Sequence, residues 1–273
     1  MLDTVRGQTP QSTQRARVGN LHVDGLTLSQ VMDRLEGFVA SRRPHHVVTA
    51  NMQFVTTARR LPDFASIVNS ADLTVADGRP VMWLARLAGM PIPERVTGND
   101  LLHGVAGLAA RRGYSIFLLG GGDGIADAAA KKLAALYPGV RVVGTHHGYK
   151  IDAAGCHASA AECEDVARRI RNASPDFLFV GLGCPKQEFW TRRHINELGV
   201  PVSIGVGGAF DLLTGRLNRA PVWMQRAGLE WSYRLKQEPG RLWKRYILMD
   251  LPTAARLTIS TITLRARRGV RLA

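Results

Sequence analysis

An acid at the mouth of a strand, followed one helix later by a cation and a group of polar side chains, is how α/β enzymes place a reacting site. Residues 71–101, ADLTVADGRPVMWLARLAGMPIPERVTGNDL, have this layout. Leu73 and Val75 read as a strand, the chain breaks at Asp77-Gly78, and Val81, Leu84, Leu87 and Ala88 recur at helical spacing. Glu94, Arg95, Thr97, Asn99 and Asp100 close the stretch. Chemistry is therefore expected here, with Asp77 as its candidate reacting group. Asp-Gly also ends strands and Asp caps helices, so a structural role stands beside the catalytic one.

Other strand mouths carry polar groups of the same kind. In HHVVTANMQFVTTARR, residues 45–60, Val47 and Val48 make a buried strand, and Thr49, Asn51 and Gln53 stand at its C-terminal end, where open parallel sheets bind ligands. Helix capping is the alternative for Thr49 and Asn51. The loop GGGDG at 120–124 joins a strand to the helix of residues 125–136 and could present backbone N–H groups to a phosphate. Its glycines do not fit G-x-G-x-x-G, and no acid ends the next strand, so it reads as a close strand-to-helix turn rather than an NAD site. In PDFLFVGLGCPKQEFW, residues 175–190, Gln187 sits in the first helical turn, able to meet a sugar hydroxyl or an anion, or simply exposed to solvent.

The elements that must position these groups are strands alternating with helices from residue 47 to residue 206. That order predicts an α/β, Rossmann-like, mostly parallel sheet with helices on both faces, plus a basic helical C-terminal appendage. Residues 1–16 read as a flexible leader, 17–215 as the catalytic domain, 216–264 as a basic amphipathic appendage and 265–273 as a basic tail. Within the domain, residues 18–23 read as one short strand and 28–41 as a helix with Ser29 as its cap. The length, 273 residues with 45% apolar and 28 glycines, suits a folded enzyme and excludes general disorder. Cys156, Cys163 and Cys184 have neither disulfide-framework nor zinc spacing, and the adjacent His146 and His147 face different sides, so no metal and no cofactor is expected. No signal-peptide core and no run of 18 apolar residues occurs, which predicts a cytoplasmic protein without a membrane span.

The formal net charge is +14, and residues 216–273 hold 13 Lys and Arg against three acids. Such a surplus calls for an acidic partner. Trp223, Trp231, Tyr233, Trp243 and Tyr246 interleave with those cations, as in helices whose apolar side enters a lipid interface while the cations meet anionic headgroups. Packing of the same helices on their own domain is the alternative.

Several strings together resemble the WecG/TagA/CpsF family of bacterial glycosyltransferases, family 26: TANMQFV at 49–55, ADGRPVMW at 76–83, ERVTGNDL at 94–101, FLLGGGDG at 117–124, GLGCPKQEFW at 181–190, and the run from GVGGAF at 205 to WKRY at 246. The resemblance implies inverting transfer of a sugar, N-acetylmannosamine, its uronic acid or glucose, from a UDP-sugar to a polyprenyl-diphosphate-linked sugar in surface polysaccharide synthesis at the inner membrane face. It implies Asp77 as base and Thr49, Asn51, Arg95 and Gln187 as lining of the donor pocket. Arg95 could instead pair with Glu94 or Asp100. It further implies that Arg234, Arg241, Lys244 and Arg245 of the appendage meet the acceptor diphosphate at an anionic membrane surface. Lys244 stands where relatives can have Arg. The chain has no Asp-x-Asp motif to hold a divalent ion on the leaving diphosphate, so metal-independent transfer is expected.

Two rival classes differ in their sequence demands. A nucleic-acid-binding protein would use the basic, aromatic-rich C-terminus as a stacking platform, but RRM, KH and helix-turn-helix signatures are missing and the polar strand mouths would have no task. A nucleotide-sugar oxidoreductase would want the intact glycine fingerprint. The preferred partners are thus a UDP-sugar, a lipid-linked acceptor and a membrane, not nucleic acid. A homo-oligomer whose interface competes with the appendage is left open.

Overall fold

The computed structural model describes residues 15–156 and 158–270, the last five of these as helical backbone only. β1 (Arg15–Val18) and β2 (Leu21–Asp24) form an antiparallel hairpin. The single strand expected at 18–23 is thus two strands, because Gly19 takes φ 62° and reverses the chain. Arg15 and Ala16, assigned above to the leader, already belong to β1, and residues 1–14 lie outside the described residues. α1 (Leu28–Ser41) is capped by Thr27, not Ser29, in a reciprocal Thr27–Gln30 capping box.

Strands and helices then alternate as expected. β3 (His45–Ala50) leads to α2 (Met52–Arg60) and α3 (Pro62–Asn69), and β4 (Leu73–Ala76) to α4 (Arg79–Leu87) and α5 (Gly98–Arg112). β5 (Ser115–Gly120), α6 (Ile125–Leu136), β6 (Arg141–His146), α7 (Ala160–Ala173), β7 (Phe177–Gly181), α8 (Lys186–Leu198), β8 (Val202–Gly205) and α9 (Ala209–Thr214) complete the domain. The six strands β3 to β8 form one parallel sheet in the order β4-β3-β8-β7-β5-β6. Parallel strands covered on both faces are apolar at every position. In β7, Phe177 and Phe179 enter the core beneath α1, α5, α6 and α9, while Leu178 and Val180 enter the one beneath α7 and α8. Val48 and Ala50 of β3 join a third cluster with α2, α3, α4 and the β1–β2 hairpin.

Because all six strands run the same way, their C-terminal ends share one edge, and every polar mouth picked out in the sequence lies along it. The appendage folds over that edge as α10 (Val222–Ala227), α11 (Glu230–Gln237), α12 (Pro239–Trp243), a π-helical stretch (Lys244–Asp250) and α13 (Leu251–Val270). α13 runs back along α4 and α2, with Leu257 beside Gly19. The tail expected from residue 265 continues this helix to Val270; residues 271–273 lie outside the described residues.

Candidate active site

The pairing of β3 with β4 sets Ala50 beside Ala76, so the next residues, Asn51 and Asp77, emerge side by side at the sheet edge. The Asp77 N–H donates to Ala50 O (2.9 Å), fixing the backbone there. The carboxylate has no capping duty: α4 begins behind Gly78 without a side-chain cap, and Pro80 occupies its first turn, where a missing N–H costs nothing. Part of Asp77 faces the cavity, but protein encloses the carboxyl so far that desolvation dominates its titration. Burial lifts its pKa from 3.8 to about 7; the Arg95 and Arg234 guanidinia oppose the shift, and Glu230 and Asp100 add to it.

Two cavities meet at this carboxylate. The larger, about 840 Å³, is polar and runs along the mouths of β3, β5, β7 and β8 past Thr49, Gly121, Gly183, Gln187 and Gly207. The smaller, about 200 Å³, lies between α4, the segment around Arg95 and the appendage, beside Trp231 and Tyr246. Asn51, Gln53, Asp77, Val206, Arg234 and Arg245 line both.

Each expected donor residue has a defined position. Thr49 is buried, and its hydroxyl donates to Gly205 O (2.7 Å), joining β3 to β8 at the cavity floor. Asn51 caps α2, its Oδ1 accepting from the Gln53 N–H (3.0 Å), so the capping role is real while the residue also lines both cavities. Gln187 is not a solvent-exposed first-turn residue: it is 2% exposed, and its Oε1 accepts from the N–H groups of Gly183 (3.2 Å) and Gly207 (3.0 Å). Its Nε2 donates to Glu188 Oε1 (2.6 Å), and burial raises the Glu188 pKa to about 8. One amide thereby ties together the glycine turns after β7 and β8. An added Cβ at Gly205 would lie 2.6 Å from that Nε2, so only glycine leaves room for it.

Arg95 lines the smaller cavity, apart from Thr49 and Gln187. Its partner is neither Glu94, which accepts from the Leu28 N–H, nor Asp100, which caps α5 with Thr97; it donates to Glu230 Oε2 of α11 at 2.5 Å. Arg219 reaches Asp100 (3.3 Å) and Glu230 (4.0 Å), extending this link between domain and appendage.

Three of the four appendage cations reach the site. Arg234 lines both cavities, Arg241 lines the larger one in a bidentate pair with Glu238 (2.8 and 2.5 Å), and Arg245 lines both. Lys244 does not join them: it is exposed and lines neither cavity, because adjacent residues of a helix project in different directions. Sequence reasoning missed Gln53 as a contact of Arg245, and Glu230 as the partner of Arg95. It also missed Lys186, whose Nζ donates to Ile151 O (2.8 Å) at the larger cavity. Among the described residues no helix is long and apolar enough to cross a membrane.

Comparison with known proteins supplies the chemistry of the class. The model of the glycosyl transferase WecG/TagA/CpsF family matches residues 16–268. An N-acetylglucosaminyldiphosphoundecaprenol N-acetyl-β-D-mannosaminyltransferase of Staphylococcus aureus (strain MW2) is 31% identical over 236 residues, 86% of this chain and 87% of its own length. The enzyme of the same name from Bacillus subtilis (strain 168) is 31% identical over 243 residues, 89% of this chain and 90% of its own.

Proposed function

The chain belongs to the WecG/TagA/CpsF family of glycosyl transferases, and on that premise we propose that it moves N-acetylmannosamine from a UDP-sugar onto a polyprenyl-diphosphate-linked N-acetylglucosamine, with inversion and without a metal. The observation that carries this reading is the position of Asp77, a carboxylate with no structural duty at the junction of two cavities. The larger, polar cavity takes the nucleotide-sugar across the glycine turns, and the smaller one takes the acceptor beneath the appendage. The acceptor hydroxyl attacks the anomeric carbon, the bond to the UDP oxygen breaks on the opposite face, and Asp77 receives the hydroxyl proton. A base with a pKa near 7 is ionised enough to accept that proton at neutral pH and basic enough to want it.

Charge develops on the departing diphosphate. The cations at the larger cavity, Arg234, Arg241 and Arg245, are the groups available to meet it, each such donor contributing roughly 3 kcal/mol where water is excluded. The test is UDP release by full-length protein given UDP-N-acetylmannosamine, its uronic acid or UDP-glucose, with a short polyprenyl-diphosphate-N-acetylglucosamine and EDTA. Acceptor-dependent release from the first donor in EDTA is the expected result. A response to another donor would correct the sugar, loss in EDTA would overturn metal independence, and silence with every donor would overturn the assignment.

A further inference from the structure

We propose that Gln53 is a positioning residue that couples the seating of the appendage to the geometry of the donor loop, because one amide side chain spans Arg245 and the carbonyl of Cys184. The inference rests on the larger cavity being the nucleotide site. Gln53 Oε1 accepts from Arg245 Nη1 (2.8 Å) and Nε2 donates to Cys184 O (3.1 Å). The two ends of this bridge are 61 residues apart in the chain, and neither belongs to the helix that carries Gln53. Cys184 lies in the turn of residues 182–185 between β7 and α8; the neighbouring N–H of Gly183 is held by Gln187, which also holds Gly207. A displacement of Arg245 is thus passed through two side-chain amides to both glycine turns.

The chemistry of the bridge fits the task. An amide accepts at one end and donates at the other, which a carboxylate or an ammonium cannot do. It also orients the Arg245 guanidinium through a neutral acceptor. Arg241 and Arg216 are held by direct hydrogen bonds to carboxylates, Glu238 and Asp211. The carboxylate nearest Arg245, Asp250, stands 3.7 Å from Nε and accepts the Thr56 hydroxyl at 2.7 Å, and Nε itself is buried without a hydrogen-bond partner. Arg245 also lies over the Tyr246 ring, 4.4 Å from its centroid, within the π-helical stretch. A cation whose placement is reported to the loop lets the donor site tighten when the appendage is seated.

The experiment is a double-mutant cycle on the full-length protein, using Gln53→Met, Arg245→Met and the pair. UDP affinity is measured by calorimetry and amide exchange of residues 182–184 by mass spectrometry, with the β5 and β7 amides as a control for an intact fold. Each single change is expected to weaken UDP about tenfold, the size of ordinary coupling between sites, and the pair no more than either alone. Exchange at 182–184 should rise in Arg245→Met as it does in Gln53→Met, with the control amides unchanged. Two effects that multiply, or an Arg245→Met loop that exchanges at the wild-type rate, would overturn the coupling. Wild-type protein that takes no UDP would instead overturn the donor reading, and the exchange arm would still decide whether Arg245 and the loop are linked.

Discussion

At the scale of single residues, Asp77 makes two predictions of opposite sign. Asp77→Asn should lower acceptor-dependent UDP release by at least about a hundredfold while leaving UDP affinity nearly unchanged, since a general base acts in the transition state rather than on the bound donor. The wild-type rate should rise with pH through about 7, where the carboxyl loses its proton. For stability the direction reverses. A carboxyl whose folded pKa lies above its unfolded 3.8 is ionised more easily in the unfolded chain, so it opposes folding increasingly between pH 4 and 7 and fully above 7. Asp77→Asn should therefore unfold at a higher temperature than wild type at pH 8, with the difference vanishing near pH 4. Thermal scans at the two pH values test this, and equal midpoints at pH 8 would show that Asp77 is less burdened by burial than its surroundings imply.

At the scale of elements, the glycine turns carry the prediction. Gly205 ends β8 against Gln187 and Glu188, both buried, and a methyl group there would stand 2.6 Å from Gln187 Nε2 and 3.1 Å from Glu188 Oε1. Gln187 is pinned by hydrogen bonds to two turns and cannot simply swing aside. Gly205→Ala should cost about 1–3 kcal/mol in urea unfolding, the range of an overpacked core, and should weaken UDP binding more than Gly37→Ala, a change within α1 with nothing near it. The elements themselves were legible in the sequence: alternation of apolar runs with helical periods placed the parallel sheet, and Asp77, Thr49 and Asn51 stand at its edge as expected. What local pattern could not supply were partners distant in the chain. Arg95 meets Glu230 across 135 residues rather than its neighbours Glu94 or Asp100, and Gln187 is buried because the turn after β8 folds over it. The hairpin of β1 and β2 was read as one strand because its two-residue turn hardly interrupts the alternation of apolar positions. Lys244 was grouped with Arg245 by composition, yet adjacent helical residues do not share a face.

At the scale of the whole molecule, the appendage unites charge with exposed apolar surface. Leu248, Leu251, Ile259 and Ile262 recur at helical spacing along the π-helical stretch and α13, all between 47% and 66% exposed, and Trp223 and Trp243 are exposed nearby. Together with the surplus of Lys and Arg they support peripheral membrane binding. Sedimentation with anionic phospholipid vesicles should retain the protein, uncharged vesicles should retain less, and Ile259→Ser with Ile262→Ser should release it from both. Binding to oligonucleotides but not to vesicles would overturn this use of the appendage. The strand order β4-β3-β8-β7-β5-β6 has a kinetic consequence of its own. The two strands made last fill the middle of the sheet, so β3 must wait for a partner about 155 residues further on, and β5 waits for β7. Until then the early pairs β3–β4 and β5–β6 each present an open edge, a template for association with other chains. A nascent or truncated chain ending before β7 should therefore aggregate unless its edges are covered, and during synthesis this protein would depend on chaperones up to the moment its central strands slot in.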